Sequence, residues 1–286
     1  MVIIKKASGQ LANKLHFFSN FIANSIENDY ILIITCFPEF HDLFKSRVEN
    51  KLNIIITGQG VLNKVVNRFL NRLHFIALKY KINFPKTVFH SIPENDHNLI
   101  DYNINAREFI KMAQNKIILP EGWVYRDKES LKKQQTTIKS FFSPKDVFKK
   151  QVHENIELAR NIGDVVIGVH IRRGDYIDFN EGRWFYDNST YIKKMNEVAQ
   201  VFSDKQCVFI ICANEEIDRN DFKDFTTLIH QRPAIVDLDL LAECDYIIGP
   251  PSTFTGWASF YNNVPAYYID KPETTITINA FNKWFD

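Results

Sequence analysis

Charged and polar residues that could form an anion-binding site stand at the end of one apolar run in the middle of the chain. His170, Arg172, Arg173 and Asp175 come at the end of the β-branched run 165–171. Two adjacent arginines followed by a turn-forming glycine offer several donors in fixed directions, which suits binding of a phosphate group from one side. The alternative is that both arginines are solvated surface residues, as charged runs usually are.

A second group of candidate ligands lies near residue 250. Ser252, Thr253 and Thr255 follow a tight Gly-Pro-Pro loop and open a predicted helix. Their hydroxyls could donate to phosphate oxygens beside the free amides of the helix N-terminus. The competing interpretation is ordinary helix capping by Ser252 or Thr253.

The N-terminus has a weaker version of the same pattern. A strand predicted at residues 2–5 leads through a loop with Gly9 into a helix that starts near Asn13. A strand, a glycine loop and a helix N-terminus can hold a phosphate, although a single glycine makes the pattern weak.

The elements that position these residues alternate between strands and helices. This alternation predicts an α/β fold with parallel sheets, in which ligands bind outside the carboxyl ends of the strands. A buried strand is predicted from Val165, and a helix that starts at Asp237 should lead to a strand at 246–248. Further predictions in this region are short strands at 227–230 and 234–236 and a helix that opens at Asn214.

One predicted helix, residues 61–81, is amphipathic. It has Leu62, Val65 and Phe69 on one side and basic residues on the other. Such a helix most often packs on a sheet, but a basic amphipathic helix can also lie on an anionic bilayer.

Charge divides the chain into two halves. Residues 1–150 carry 23 Lys/Arg and 13 Asp/Glu, a net charge of +10, whereas residues 151–286 carry 12 and 21, a net charge of −9. This asymmetry supports two domains, which 286 residues are enough to build. A basic surface could attract an anionic membrane or acceptor, or the solvated faces of the two halves could simply differ.

Several classes of protein fit poorly. The chain has neither an apolar run of about 18 residues nor a signal-peptide core, so we expect a cytoplasmic protein that is at most peripheral to a membrane. The four cysteines lack the CxxC spacing of a zinc site. No metal cofactor and no nucleic-acid partner are expected.

The two clusters resemble known signatures. The segment from His170 to Tyr176 reads His-Ile-Arg-Arg-Gly-Asp-Tyr. It resembles the first signature of the α-1,2-fucosyltransferase family, in its bacterial form, which is of the glycosyltransferase family 11 type. The segment 237–258, with Ser-Thr-Phe-Thr-Gly-Trp-Ala at its end, resembles the second signature. The loop 8–13 is similar to the N-terminal glycine loop of that family at Gly9, Leu11 and Asn13.

The resemblance implies a site and an activity. Arg172 would be catalytic and contact the β-phosphate of GDP-fucose, and Asp237 would pair with N1 and N2 of guanine, where an acceptor carboxylate favours guanine over adenine. The complete implied donor site comprises His170, Arg172, Arg173, Asp175, Asp237, Ser252, Thr253, Phe254, Gly9 and Asn13.

The resemblance also implies the architecture and the partners. The fold would be GT-B, with two Rossmann-like domains facing across a cleft: an acceptor-side domain at 1–142 and a GDP-sugar donor domain at 143–286. The reaction would be metal-independent and inverting. Its donor would be GDP-fucose, and its acceptor an oligosaccharide or lipid-linked glycan ending in galactose or a related sugar.

Two other functions stay open. Asp237 and Asp239 form an Asp-x-Asp pair that could hold Mg²⁺ or Mn²⁺ in a metal-dependent glycosyltransferase. The chain could also be a non-catalytic sugar-nucleotide or glycan-binding protein. No general base is assigned; the nearby candidates are Asp175, Asp178, Glu181 and Asp187.

Overall fold

The chain forms two compact units, Met1–Ser143 and Pro144–Asp286. The computed structural model describes residues 1–45, 53–57, 61–80, 86–91, 101–122 and 124–286. The division lies one residue from the predicted domain boundary, and the acceptor and donor roles of the two units stay predictions.

The elements alternate as expected for an α/β protein. The strands are β1 Val2–Ile4, β2 Leu32–Ile34, β3 Ile54–Ile56, β4 Thr87–Ser91, β5 Tyr102–Asn103, β6 Ile117–Glu121, β7 Tyr125–Arg126, β8 Val165–Ile171, β9 Cys207–Ala213, β10 Thr227–Ile229, β11 Tyr246–Gly249 and β12 Ala266–Tyr268. The α-helices are α1 Leu11–Asn28, α2 Pro38–His41, α3 Val61–Tyr80, α4 Arg107–Asn115, α5 Lys128–Lys133, α6 Gln135–Phe141, α7 Asp146–Ile162, α8 Asn188–Val201, α9 Ala234–Ala242 and α10 Thr253–Asn262.

The first unit is built on a parallel sheet of order β3-β2-β1-β6-β4. Leu15, Phe18 and Ile22 of α1 are fully buried, because their spacing of three and four residues puts them on one side of the helix. At the carboxyl ends of β1 and β6, Lys5 Nζ lies 2.7 Å from Glu121 Oε1.

The second unit has a parallel sheet of order β10-β9-β8-β11-β12. All seven residues of β8 are buried, as a β-branched strand covered on both faces requires. Gly168 of β8 lets α9 approach closely, since a β-carbon there would lie 2.6 Å from Leu241 Cδ2. Cys212 and Cys244 are buried in this unit as free thiols. The predicted fold class, α/β with two units on parallel sheets, is confirmed.

Two local predictions are wrong. The predicted strand at residues 234–236 is the first turn of α9, because Pro233 presets a φ of −57° at the N-cap and the helix is buried on all sides, which hides its periodicity. Asn214 does not open an α-helix. Its amide group instead bonds the backbone N–H and carbonyl of Arg173, and a 3₁₀ turn forms later, at Arg219–Phe222.

Candidate functional site

The candidate site lies where the strand order of the second sheet reverses. The chain leaves β8 toward β9 and β10 on one side, then returns to build β11 and β12 on the other. Carboxyl ends on either side of such a reversal form the usual ligand crevice of an open α/β sheet. The segment after β8 starts with Arg172, and the segment after β11 leads to Ser252. Both sequence clusters therefore meet at one edge.

His170 joins the two segments. Its Nδ1 lies 2.8 Å from the Thr255 hydroxyl and 3.4 Å from the Ser252 hydroxyl, and its ring stacks on Phe254 with centroids 4.8 Å apart. Burial, and then the charge of Arg172, lower the pKa of His170 to about 3. The imidazole is therefore neutral at physiological pH.

Strands β8 and β11 approach so closely that no side chain fits at Gly249. A β-carbon there would lie 3.0 Å from both His170 Cβ and the Thr255 hydroxyl. The glycine thus allows β11 to meet the end of β8 closely.

The hydroxyl cluster is a helix cap. Ser252 Oγ accepts a hydrogen bond from the Thr255 backbone N–H at 3.1 Å, as the capping alternative predicted. Thr255 is fully buried, so its hydroxyl serves His170 and is not exposed to a ligand. Phosphate binding by Ser252 and Thr253 stays a prediction.

The two adjacent arginines have different surroundings. The Arg173 guanidinium donates to the Tyr186 carbonyl at 2.9 Å, to Glu215 at 2.7 Å and to Asn188. Among the described residues, the Arg172 guanidinium donates to Asp175 alone, at 2.8 Å, and the Arg172 side chain is 23% exposed. Arg173 therefore braces the segment, whereas Arg172 retains donors for a ligand.

A row of aromatic rings extends from Arg172. Its guanidinium carbon lies 5.4 Å from the ring centre of Tyr176, which stacks on Phe179 at 5.2 Å. The Tyr176 hydroxyl donates to the Pro251 carbonyl at 3.1 Å. Tyr176 therefore connects the segment after β8 to the loop after β11.

Asp237 lies in the first turn of α9, close to the end of β9. Its Oδ1 accepts a hydrogen bond from Arg232 at 2.7 Å, and its carbonyl accepts one from Cys212, the register partner of His170. Burial raises the pKa of Asp237, and the Arg232 charge opposes this rise. The carboxyl is thus fixed at the same edge of the sheet, and its pairing with guanine stays a prediction.

Gly9 and Asn13 lie in the other unit. Gly9 has a φ of +79°, and the Asn13 side chain occupies the space that a β-carbon on residue 9 would need. Their contact with the donor stays a prediction.

The sequence patterns gave no role in the site to Tyr186, Asn188, Asn214 and Arg232. Tyr176 and Thr255 stand in the two clusters, but their contacts with Arg172 and His170 were not predicted. Asn214 directly follows the buried strand β9, so its position at a carboxyl end was a usable signal. Tyr186, Asn188 and Arg232 are revealed only by their side-chain and backbone contacts with Arg173 and Asp237 in the folded chain.

Comparison with known proteins identifies the family. The model of glycosyl transferase family 11 matches residues 135–277, which is half of the chain. The chain belongs to glycosyl transferase family 11. The matched range includes every residue of the candidate site in the second unit, from His170 to Thr255. No curated protein shows significant sequence similarity to it.

Solved fucosyltransferases share the fold of this family 11 chain. Fucosyltransferase NodZ from Bradyrhizobium has a TM-score of 0.63 at 16% identity, covering 96% of this chain and 97% of that one. A point mutant of Arabidopsis thaliana FUT1 in complex with GDP has a TM-score of 0.59 at 12% identity, covering 99% and 73%. NodZ α-1,6-fucosyltransferase soaked with GDP-fucose has a TM-score of 0.56 at 15% identity, covering 96% and 97%. At these identities the likeness shows the GT-B-like fold alone.

Proposed function

We propose that the chain is an inverting fucosyltransferase that moves fucose from GDP-fucose to a hydroxyl group of an oligosaccharide. The observation that carries the proposal is Arg172, a cation with available donors at the reversal point of the second sheet. Membership of glycosyl transferase family 11 supports the reaction class. The GDP and GDP-fucose bound to the fold relatives support the donor.

The proposed chemistry centres on the leaving group. Negative charge builds on the departing GDP while the sugar becomes oxocarbenium-like. A preorganised cation beside that charge lowers the barrier by several kcal/mol, roughly 3 to 4 by analogy with an oxyanion-hole donor. Arg172 is the group that supplies it, and the exposed Asp175 yields its hydrogen bond to the incoming diphosphate.

One of the four candidate bases is poorly suited to proton transfer. Hydrogen bonds from Ser189 and from the Thr190 backbone lower the pKa of Asp187, which serves as the cap of α8. A carboxylate stabilised in this way is a weak base.

We propose that the reaction needs no metal ion. Asp237 and Asp239 are two residues apart within α9, a spacing that turns side chains to different sides of a helix. Asp237 is also held by Arg232. Within the described residues, no three His, Cys, Asp or Glu side chains are grouped to hold a metal ion. Transfer that continues in EDTA is the expected result.

We place the reaction in the cytoplasm and its acceptor in a bacterial surface glycan, with α-1,2 transfer to galactose or a related sugar. The linkage and the acceptor are proposed from the similarity of the two signatures to those of α-1,2-fucosyltransferases.

The first test is calorimetric titration with GDP, GDP-fucose and UDP in EDTA. We expect GDP and GDP-fucose to bind and UDP to bind far more weakly. Arg172→Ala should weaken GDP binding roughly 10- to 100-fold, the range for a lost charged hydrogen bond. The matched control is Arg160→Ala, because Arg160 pairs with Asp245 at the amino end of the same sheet.

Three outcomes would count against the proposal. Binding that is equal for UDP, or unchanged by Arg172→Ala, contradicts the donor site. Metal-dependent binding that Asp239→Asn abolishes favours the metal-dependent glycosyltransferase. GDP-fucose binding without transfer to any galactoside in a screen favours the non-catalytic binding protein.

A further inference from the structure

Helix α3 exposes apolar side chains that an amphipathic helix packed on a sheet would bury. Val65 is 53% exposed, Phe69 60%, Phe75 62% and Tyr80 62%. The prediction that this helix packs its apolar side on the sheet is therefore wrong for Val65 and Phe69, which lie on that side.

The charge of α3 has one sign. Val61–Tyr80 contains Lys64, Arg68, Arg72 and Lys79 and neither Asp nor Glu. Arg68, Arg72 and Lys79 are exposed. Lys79 Nζ lies 5.3 Å from the Tyr80 ring centre and 5.8 Å from that of Phe75, so cations and aromatic rings are interleaved.

The exposed rings and basic side chains of α3 suit the surface of an anionic lipid bilayer. Exposed aromatic rings beside cations suit the interface of a bilayer, where the rings enter the headgroup region and the cations meet anionic lipid. A protein partner for a surface without acidic residues would also have to be anionic, but the large exposed rings favour a lipid boundary over a solvated acidic protein face. No helix in the described part of the chain is long and apolar enough to span a membrane.

We propose that α3 docks the protein onto the surface of an anionic lipid bilayer. Arg68, Arg72 and Lys79 contact lipid headgroups, and Phe69 and Tyr80 enter the boundary between headgroups and acyl chains. This site lies in Met1–Ser143, whereas the donor-site residues of the proposed function lie mainly in Pro144–Asp286. The two proposals can therefore fail separately.

The test is cosedimentation of the full chain with vesicles. One set contains phosphatidylcholine alone, and the other contains phosphatidylcholine mixed with phosphatidylglycerol. We expect binding to the mixed vesicles that weakens as salt is added, and much weaker binding to the neutral ones. Arg68→Gln with Arg72→Gln should lower the partition roughly 10- to 30-fold, and Phe69→Ser roughly 10-fold.

Matched controls separate docking from general charge and hydrophobicity. Lys111→Gln with Lys116→Gln removes two exposed cations of the same unit outside α3, and Leu158→Ser removes an exposed apolar residue of α7. Both should bind like the wild type, and calorimetric GDP binding should be the same in all variants.

Three results would overturn the proposal. The first is no preference for anionic vesicles, and the second is an equal loss of binding in the α3 and control variants. The third is a dimer in size-exclusion chromatography that Phe69→Ser dissociates, because a second copy of the chain would then cover this helix.

Discussion

Arg172 and Arg173 are adjacent in sequence, and their contacts give them separate tasks. The Arg173 side chain is 15% exposed and bonds three groups, whereas Arg172 bonds one exposed carboxylate. Removing a largely shielded guanidinium that bonds several groups costs more stability than removing one that bonds a single exposed carboxylate, because it leaves more polar groups without a partner.

The arginines should therefore differ in their effect on stability. Arg173→Ala should lower the free energy of unfolding by about 2 to 4 kcal/mol, because it leaves Glu215 and the Tyr186 carbonyl without their donor. Arg172→Ala should change it by less than about 1 kcal/mol. Urea denaturation of the wild type and both variants measures these changes in the free energy of unfolding. Equal losses would mean that Arg173 is not the structural member of the pair.

The neutral state of His170 predicts a pH dependence. Its pKa is about 3 in the folded chain, against an ordinary value of 6.5, so between these values the unfolded chain binds the extra proton. His170 should therefore reduce stability as pH falls from about 6.5, the reference value for histidine.

The measurement is urea denaturation of the wild type and His170→Gln across that pH range. The wild type should lose more stability toward acid than the variant, which keeps a polar side chain but does not titrate. Parallel stability curves would show that the imidazole does not resist protonation in the folded chain.

At the scale of elements, the segments after β8 and β11 act together through Tyr176. Its ring contacts the Arg172 guanidinium and its hydroxyl bonds the Pro251 carbonyl. Tyr176 therefore positions Arg172 against the loop that leads into α10.

Comparison of GDP with GMP isolates this positioning role, because GMP lacks the β-phosphate that Arg172 is proposed to contact. Tyr176→Leu should weaken GDP binding several-fold and leave GMP binding nearly unchanged. Tyr176→Phe keeps the ring and should show a smaller effect. Loss of GDP and GMP affinity in equal measure would indicate general disruption of the loop, and the tyrosine would then be structural.

Sequence periodicity predicted the elements that carry the site better than those around it. The β-branched run of β8 ends at charged residues, and the Gly-Pro-Pro sequence ends β11, so both carboxyl ends were recognisable. The sequence predicts a strand where the first turn of α9 lies, because a helix buried on every side has no polar face to reveal its period. The Arg232–Asp237 pair was not foreseen, since burial decides which of many arginines turns inward.

For the whole molecule, the sequence predicted two units and little about their surfaces. The opposite net charges of the two halves supported two domains, and the chain divides into two units after Ser143. The exposed side of α3 could not be predicted, because periodicity shows which side of a helix is apolar but not what covers it.

The buried and half-buried thiols have a practical consequence for spectroscopy on the intact chain. Burial raises the pKa of all four cysteines, Cys36, Cys207, Cys212 and Cys244. Thiolates are the species that react with maleimide dyes, so the native cysteines should label slowly near neutral pH. A fluorophore could then be attached at one introduced surface cysteine in either unit, with the natural thiols left in place.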